Sequence, residues 1–166
     1  MAAKSMKDLL IEELRDIYDA EKQALKVYPK LMKATSSDQL KQAFQTHREQ
    51  TEGQVERLKQ AFELLDSRPR GKHCDAMEGL ISEASELLDE GLPPELLDVA
   101  LIAQAQKMEH YEIAAYGSVH AYAEAMGNTE LANLLEQTLN EEKETDTLLN
   151  RIALEDVNKK ALEKAA

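Results

Sequence analysis

The sequence predicts an all-α domain: four long helices bundled around one core, with a long crossover carrying a short fifth helix. Three observations predict it. Ala, Leu, Glu, Gln and Lys dominate, and these residues lose little freedom in a helix. Gly and Pro number only 6 and 4 and mostly gather at a handful of breaks, so few loops are expected. Between the breaks, apolar residues recur every three or four positions, the period of one helix face.

The first helix, α1, is expected over about 6–34. Leu10, Leu14, Ile17, Glu21, Leu25, Tyr28 and Leu31 share its face, and Pro29 interrupts its hydrogen bonding. Thr35-Ser36-Ser37-Asp38 is a turn that offers an N-cap to α2, expected over about 38–65. The α2 face reads Leu40, Phe44, His47, Thr51, Val55, Leu58, Phe62 and Leu65, with Gln50 and Gln54 alongside. Asp66-Ser67-Arg68-Pro69-Arg70-Gly71 stops it. A short α3 is expected over about 75–90 from Met77, Leu80, Ile81, Ala84, Leu87 and Leu88, and Gly91-Leu92-Pro93-Pro94 ends it. This connection is long for neighbouring antiparallel helices, so it carries the chain along the bundle.

The α4 helix, over about 94–126, holds no Gly or Pro from Asp98 to Tyr116. Leu101, Ala105, Met108, Ala115 and Val119 mark a face; Glu112 falls on it and Glu109 at its edge. After a turn at Gly127-Asn128-Thr129, α5 is expected over about 129–154, with Leu131, Leu135, Thr138, Glu142, Asp146, Leu149 and Ile152 on one side. The polar tail 157–166 is expected to fray, leaving a single domain with its core over about 6–156. Short turns and one long crossover match a ferritin-like bundle better than a simple up-and-down one.

Charge and cysteine content exclude several classes of function. A net charge of -12 disfavours nucleic acid and anionic membrane surfaces, both of which reward a basic face. A lone Cys74 rules out a disulfide framework and a thiolate-rich zinc site within one chain. No apolar run approaches a membrane span, and no signal-peptide core precedes α1, so the expected location is the cytoplasm.

The two halves resemble each other. Glu21 precedes Tyr28 by the spacing at which Glu109 precedes Tyr116. Each second helix has a polar step in its apolar face: Glu142 and Asp146 in α5, and Gln50 and Gln54 with His47 and Thr51 in α2. A helix face buries such groups only when something satisfies them. Metal centres inside bundles use inward carboxylates from several helices, which suit hard divalent cations. Here α1, α4 and α5 supply Glu21, Glu109 or Glu112, Glu142 and Asp146, whereas α2 offers amides and one imidazole. The Glu-x-x-His pair that would sharpen this signal is missing from α2 and α5.

Five stretches resemble the bacterial YciE/YciF-type stress proteins: Tyr18-Asp19-Ala20-Glu21-Lys22-Gln23, His47-Arg48-Glu49-Gln50-Thr51, Cys74-Asp75-Ala76-Met77-Glu78-Gly79, Ala105-Gln106-Lys107-Met108-Glu109-His110-Tyr111-Glu112-Ile113, and Glu141-Glu142-Lys143 through Asp146. The resemblance covers about residues 7–158. It implies a ferritin-like fold related to rubrerythrin, a homodimer and a link to bacterial stress, with no settled catalytic activity. It also implies a site for two iron ions, or for manganese. Glu21, Glu109 and Glu142 stand where such proteins place carboxylate ligands, with Asp146 in place of the usual His. Glu49 or Gln50, and Glu52 or Gln54, stand for the α2 ligands, and the α2 face favours Gln50 and Gln54.

Plainer roles stand beside these. The acidic residues suit a solvated face or ion pairs with Lys22, Lys107 and Lys143. Glu112 is a ligand or supports one; His47 is a core histidine, a ligand or a support for a ligand. Tyr28 and Tyr116 fill the core, the reading favoured over a hydrogen bond to a ligand or electron donation in oxygen chemistry; Cys74 packs beside Met77, and Glu141 and Glu144 point outward. His110 is a packing or interface residue, while His73 and His120 lie at the surface. Apolar residues of α3 and those near Ala121 and Tyr122 form a candidate dimer patch. Two readings follow: a di-metal protein that oxidises ferrous iron or consumes oxygen or peroxide, and a structural helical dimer with a vestigial site.

Overall fold

The structure, a computed structural model, describes residues 3–165. In chain order the helices are α1 (Met6–Ala34), α2 (Asp38–Leu64), α3 (Asp75–Asp89), α4 (Pro94–Ala125) and α5 (Thr129–Ile152). A π-helical turn, Ala153–Val157, then leads into α6 (Asn158–Ala165). No strand occurs among the described residues, and no described helix is long and apolar enough to cross a membrane.

Local chemistry sets the helix starts. Ser5, Ser37 and Asn128 accept from the backbone N–H groups of Asp8, Leu40 and Leu131, at 3.1, 3.3 and 3.1 Å. Pro94 opens α4, where a missing N–H does no harm. The α1–α2 turn is tied to α4 by buried Asp98, whose carboxylate accepts from Thr35 Oγ1 (2.5 Å), Ser36 N (3.0 Å), Ser36 Oγ (2.6 Å) and Ser37 N (2.9 Å).

Each long helix packs antiparallel to two neighbours, in the order α1, α2, α5, α4 around a square. Two apolar clusters fill the ends. One joins Tyr28, Leu31, Phe44, Met77, Leu101 and Ile152, and the other joins Leu10, Leu14, Phe62, Val119 and Leu135. Because α2 ends at the second cluster and α4 begins at the first, the chain must travel back along the bundle. Residues 65–93 do this, laying α3 over α1 and α4. Gln104 Nε2 donates to Leu80 O at 2.6 Å, and Asp19 Oδ2 accepts from Cys74 N at 3.0 Å.

The tail corrects the sequence reading. Instead of fraying, residues 158–165 form α6, and Val157 and Ala161, one turn apart, are buried where this segment meets α4. Two small apolar side chains on one face are enough once a neighbouring helix receives them. Ala166 lies outside the described residues.

Candidate metal centre

Between the two apolar clusters the four long helices bring polar side chains to one level. Glu21 comes from α1, His47 from α2, Glu109 and Glu112 from α4, and Glu142 from α5. None is more than 2% exposed. On α4 a three-residue step puts both carboxylates on the inner face. One donor atom from each of His47, Glu109, Glu112 and Glu142 falls within 4.8 Å of the others. Glu21 lies beside them, near enough for its charge to help raise the Glu112 carboxyl.

The cluster has acceptors in excess. His47 Nε2 lies 3.3 Å from Glu109 Oε1 and 3.4 Å from Glu142 Oε2 but makes a well-formed hydrogen bond to neither. Glu21 Oε2, Glu109 Oε2, both Glu112 oxygens, Glu142 Oε2 and Gln54 Oε1 are likewise buried without a partner among the described residues. Burial pushes the Glu21 carboxyl up to about 7 and those of Glu109, Glu112 and Glu142 well above the usual carboxylate range, with neighbouring carboxylates adding to the rise at the last three. Burial drives His47 down to about 4, so its ring is neutral near pH 7.

Surrounding groups orient the donors. Gln50 Oε1, an acceptor, lies 3.2 Å from His47 Nδ1, which places the ring proton on Nδ1 and turns the Nε2 lone pair inward. Thr145 Oγ1 stands 3.0 Å from the same nitrogen, and the Tyr28 ring packs edge-on against the imidazole at 5.6 Å. Tyr116 OH donates to Glu21 Oε1 at 2.5 Å, and Gln54 Nε2 to Glu142 Oε1 at 2.5 Å. An imidazole lone pair among unpartnered carboxylates needs protons or a cation, and carboxylate oxygens with one imidazole nitrogen suit iron or manganese. The residues present therefore fit a divalent metal.

The structure brings Glu21, His47, Glu109, Glu112, Glu142 and Gln54 together. Gln50 backs the imidazole from a half-buried position. Asp146 is not in the cluster. Its Oδ1 meets His110 Nε2 at 3.3 Å and Gln106 Nε2 at 3.0 Å on the α4–α5 seam, and Thr145 occupies the inward step three residues after Glu142. Glu49 and Glu52 are exposed, as are His73 and His110, whereas His120 is half-buried beside Glu124.

Sequence reasoning set one feature aside and missed two. Tyr116 does more than fill the core, since it holds Glu21. Glu141, expected outward, is half-buried and bound by Arg57 through both oxygens at 2.6 Å. Tyr111 OH donates to Asp16 Oδ2 at 2.7 Å and touches Cys74 Sγ at 3.0 Å, so Cys74 is part of a polar contact as well as packing. A second acidic group, His73 with Asp75 and Glu78, is exposed at the start of α3 and reads as a surface ion cluster.

A sequence profile for a domain of unknown function, DUF892, matches residues 5–162. Protein YciF of Escherichia coli K12 is 47% identical over 166 residues, 99% of this chain and all of that protein. The crystal structure of the E. coli stress protein YciF superposes with a TM-score of 0.90 at 46% identity, covering 95% of this chain and 99% of that one. YcfI of Rhodopseudomonas palustris, described provisionally as a structural protein, gives 0.86 at 44% identity over 89% and 94%. A ferritin-like, diiron-carboxylate protein from Bacillus anthracis gives 0.69 at 18% identity over 90% and 99%, which shows a shared fold.

Proposed function

The chain belongs to the DUF892 family and is ferritin-like in fold, and we propose that its buried cluster holds two divalent ions, iron or manganese. The donors are Glu21, His47, Glu109, Glu112 and Glu142. One observation carries the reading: the inward oxygens and the His47 lone pair converge with no donor to satisfy them. Charge supports a pair of ions, because four carboxylates and a neutral imidazole are balanced by two dications. The Bacillus anthracis neighbour, named a diiron-carboxylate protein, supports the metal class by analogy of fold.

Iron bound there supplies redox chemistry toward oxygen or peroxide, and the proposed activity is oxidation of ferrous iron or consumption of those oxidants in a stress response. The chain's own groups prepare the site. Gln50 and Thr145 fix the His47 tautomer, Tyr116 holds Glu21, and Gln54 holds Glu142. The apolar clusters at both ends keep bulk water out. A homodimer is part of the same proposal, checked by sedimentation of the purified chain.

The test is metal analysis of protein loaded anaerobically with ferrous iron or manganese, joined to anomalous-scattering maps at both edges. The expected result is metal density between Glu21, His47, Glu109, Glu112 and Glu142, lost in Glu142→Gln. Density elsewhere, or none, overturns it. A second reading, a structural module with a vestigial site, is favoured by the amide of Gln54 on α2, a helix that offers no inward carboxylate. It predicts no oxygen uptake when ferrous iron is added.

A further inference from the structure

We propose that Glu141 is the outer station through which a divalent cation reaches the buried cluster, and that Arg57 is the cation it displaces. The proposal rests on the metal reading above and adds a route to it. Apolar clusters close the bundle at both ends, so a hydrated ion must pass between helices. On the α2–α5 seam a continuous line of polar groups runs from the centre outward. Gln54 Nε2 donates to buried Glu142 Oε1 at 2.5 Å and also to Glu141 Oε2 at 3.0 Å. Glu141 in turn is held by Arg57 Nη2 at 2.6 Å to each oxygen, and Arg57 Nη1 donates to Thr138 Oγ1 at 2.8 Å.

The chemistry along this line changes in the right order. Glu141 and Arg57 keep 27% and 17% of their side chains exposed, so water and ions reach them. Gln54 is fully buried, and its Oε1 has no partner among the described residues, so an oxygen waits beside the inner carboxylate. A guanidinium bound through both oxygens marks Glu141 as a carboxylate already arranged for a cation. Partly exposed ion pairs are weak, and a dication competes well with a single positive charge. Turning away from Glu141, Gln54 then passes the ion to Glu142. On the neighbouring α4–α5 seam, Asp146 with His110 and Gln106 offers another polar group, but no hydrogen bond among the described residues joins it to Glu109 or Glu142.

Rapid mixing of the full-length, metal-free chain with manganese, followed by the loss of the free-ion spin-resonance signal, separates route from site. Glu141→Gln should slow uptake at least tenfold while leaving stoichiometry and affinity within twofold. Chelator-driven release should slow by the same factor, because a passage site acts in both directions. Arg57→Gln should speed uptake several-fold, and Asp146→Asn should leave it within twofold. Uptake at the wild-type rate in both Glu141→Gln and Arg57→Gln overturns the route, as does slowing by Asp146→Asn instead. If wild type loads and Glu142→Gln does not, the buried site stands whatever the route; if wild type takes up no manganese, site and route fall together.

Discussion

The two halves of the bundle are variations on one plan. Glu142 follows Gln54 by 88 residues, and the same offset relates Glu21 to Glu109, Tyr28 to Tyr116 and Ala24 to Glu112. The substitutions all run one way. The first half contributes one central carboxylate, Glu21, with His47 and Gln54 as neutral donors. The second contributes Glu109, Glu112 and Glu142. Negative charge is thus concentrated on α4 and α5, and α2 faces it with an imidazole lone pair and an amide. A duplicated helix pair that was only structural would have no reason to place unpartnered carboxylates on one side and neutral ligands opposite. A divalent cation between the pairs would satisfy both the unpartnered carboxylates and the neutral donors opposite them.

The largest effect comes from making the second half copy the first. Glu142→Gln should abolish the thermal stabilisation that manganese or ferrous iron gives the wild type. At a metal concentration 100 times Kd that stabilisation is about 2.7 kcal/mol, or roughly 5–10 °C in a chain of this size. Without metal, Glu142→Gln should melt at or above the wild-type temperature, because an amide is easier to bury than a carboxylate. The reverse copy, Gln54→Glu, should lower the metal-free melting point and steepen its recovery with manganese. Calorimetry with chelator and with metal decides both.

Next in size is the pH profile of the metal-free protein. A carboxyl raised by folding lends stability that is complete below its usual value and fades as pH rises through the folded one. Glu21, raised to about 7, should therefore lose about 3 kcal/mol of its contribution between pH 4.5 and 7. Glu109, Glu112 and Glu142 act in the same direction. His47, lowered to about 4, opposes them, losing stability as pH falls from 6.5. Carboxylates outnumber the histidine, so urea denaturation in chelator should show stability falling from pH 5 to 7. Added manganese should flatten or invert that slope, and Glu21→Gln should reduce it.

A smaller effect separates the paired tyrosines. Tyr116→Phe removes the hydrogen bond to Glu21 and leaves another buried oxygen without a partner, at about 1–3 kcal/mol. Urea midpoints at pH 7 in chelator measure it.

The sequence made the fold legible because helix periodicity and turn chemistry are local. Ser37 caps α2 where the Thr35–Asp38 turn was expected, and the unusual length of residues 65–93 announced the crossover. The central carboxylates were legible too, since Glu21, Glu112 and Glu142 interrupt apolar faces that would otherwise continue. What escaped depends on geometry between helices. Thr145 and Asp146 differ by about 100° around α5, and only the position of α2 decides that Thr145 faces His47 while Asp146 turns to His110. Glu141 looked solvated because the Arg57 that reaches it lies on another helix. The Tyr116–Glu21 bond crosses halves, whereas the seven-residue Glu–Tyr spacing reports only that the two share a face within each helix. In the tail, Val157 and Ala161 are too few to make a periodic signal, yet enough to dock against α4.

The last and smallest effect tests whether the halves differ as deeply as their hydrogen bonds imply. Tyr28 OH, the counterpart of Tyr116 OH, is buried with no partner among the described residues. Its ring meets His47 edge-on and packs against Phe44, contacts that Phe would keep. Removing a hydroxyl that satisfies nothing relieves a desolvation penalty and loses no bond. Tyr28→Phe should therefore leave metal-free stability within about 0.5 kcal/mol of wild type, or raise it slightly. If it destabilises as much as Tyr116→Phe in the same urea series, the Tyr28 hydroxyl is engaged after all. Glu109, the counterpart of Glu21 in the repeat, is then its natural acceptor, and the two halves share a tyrosine–carboxylate device, set apart by their α2 and α5 ligands and by Glu112 in place of Ala24.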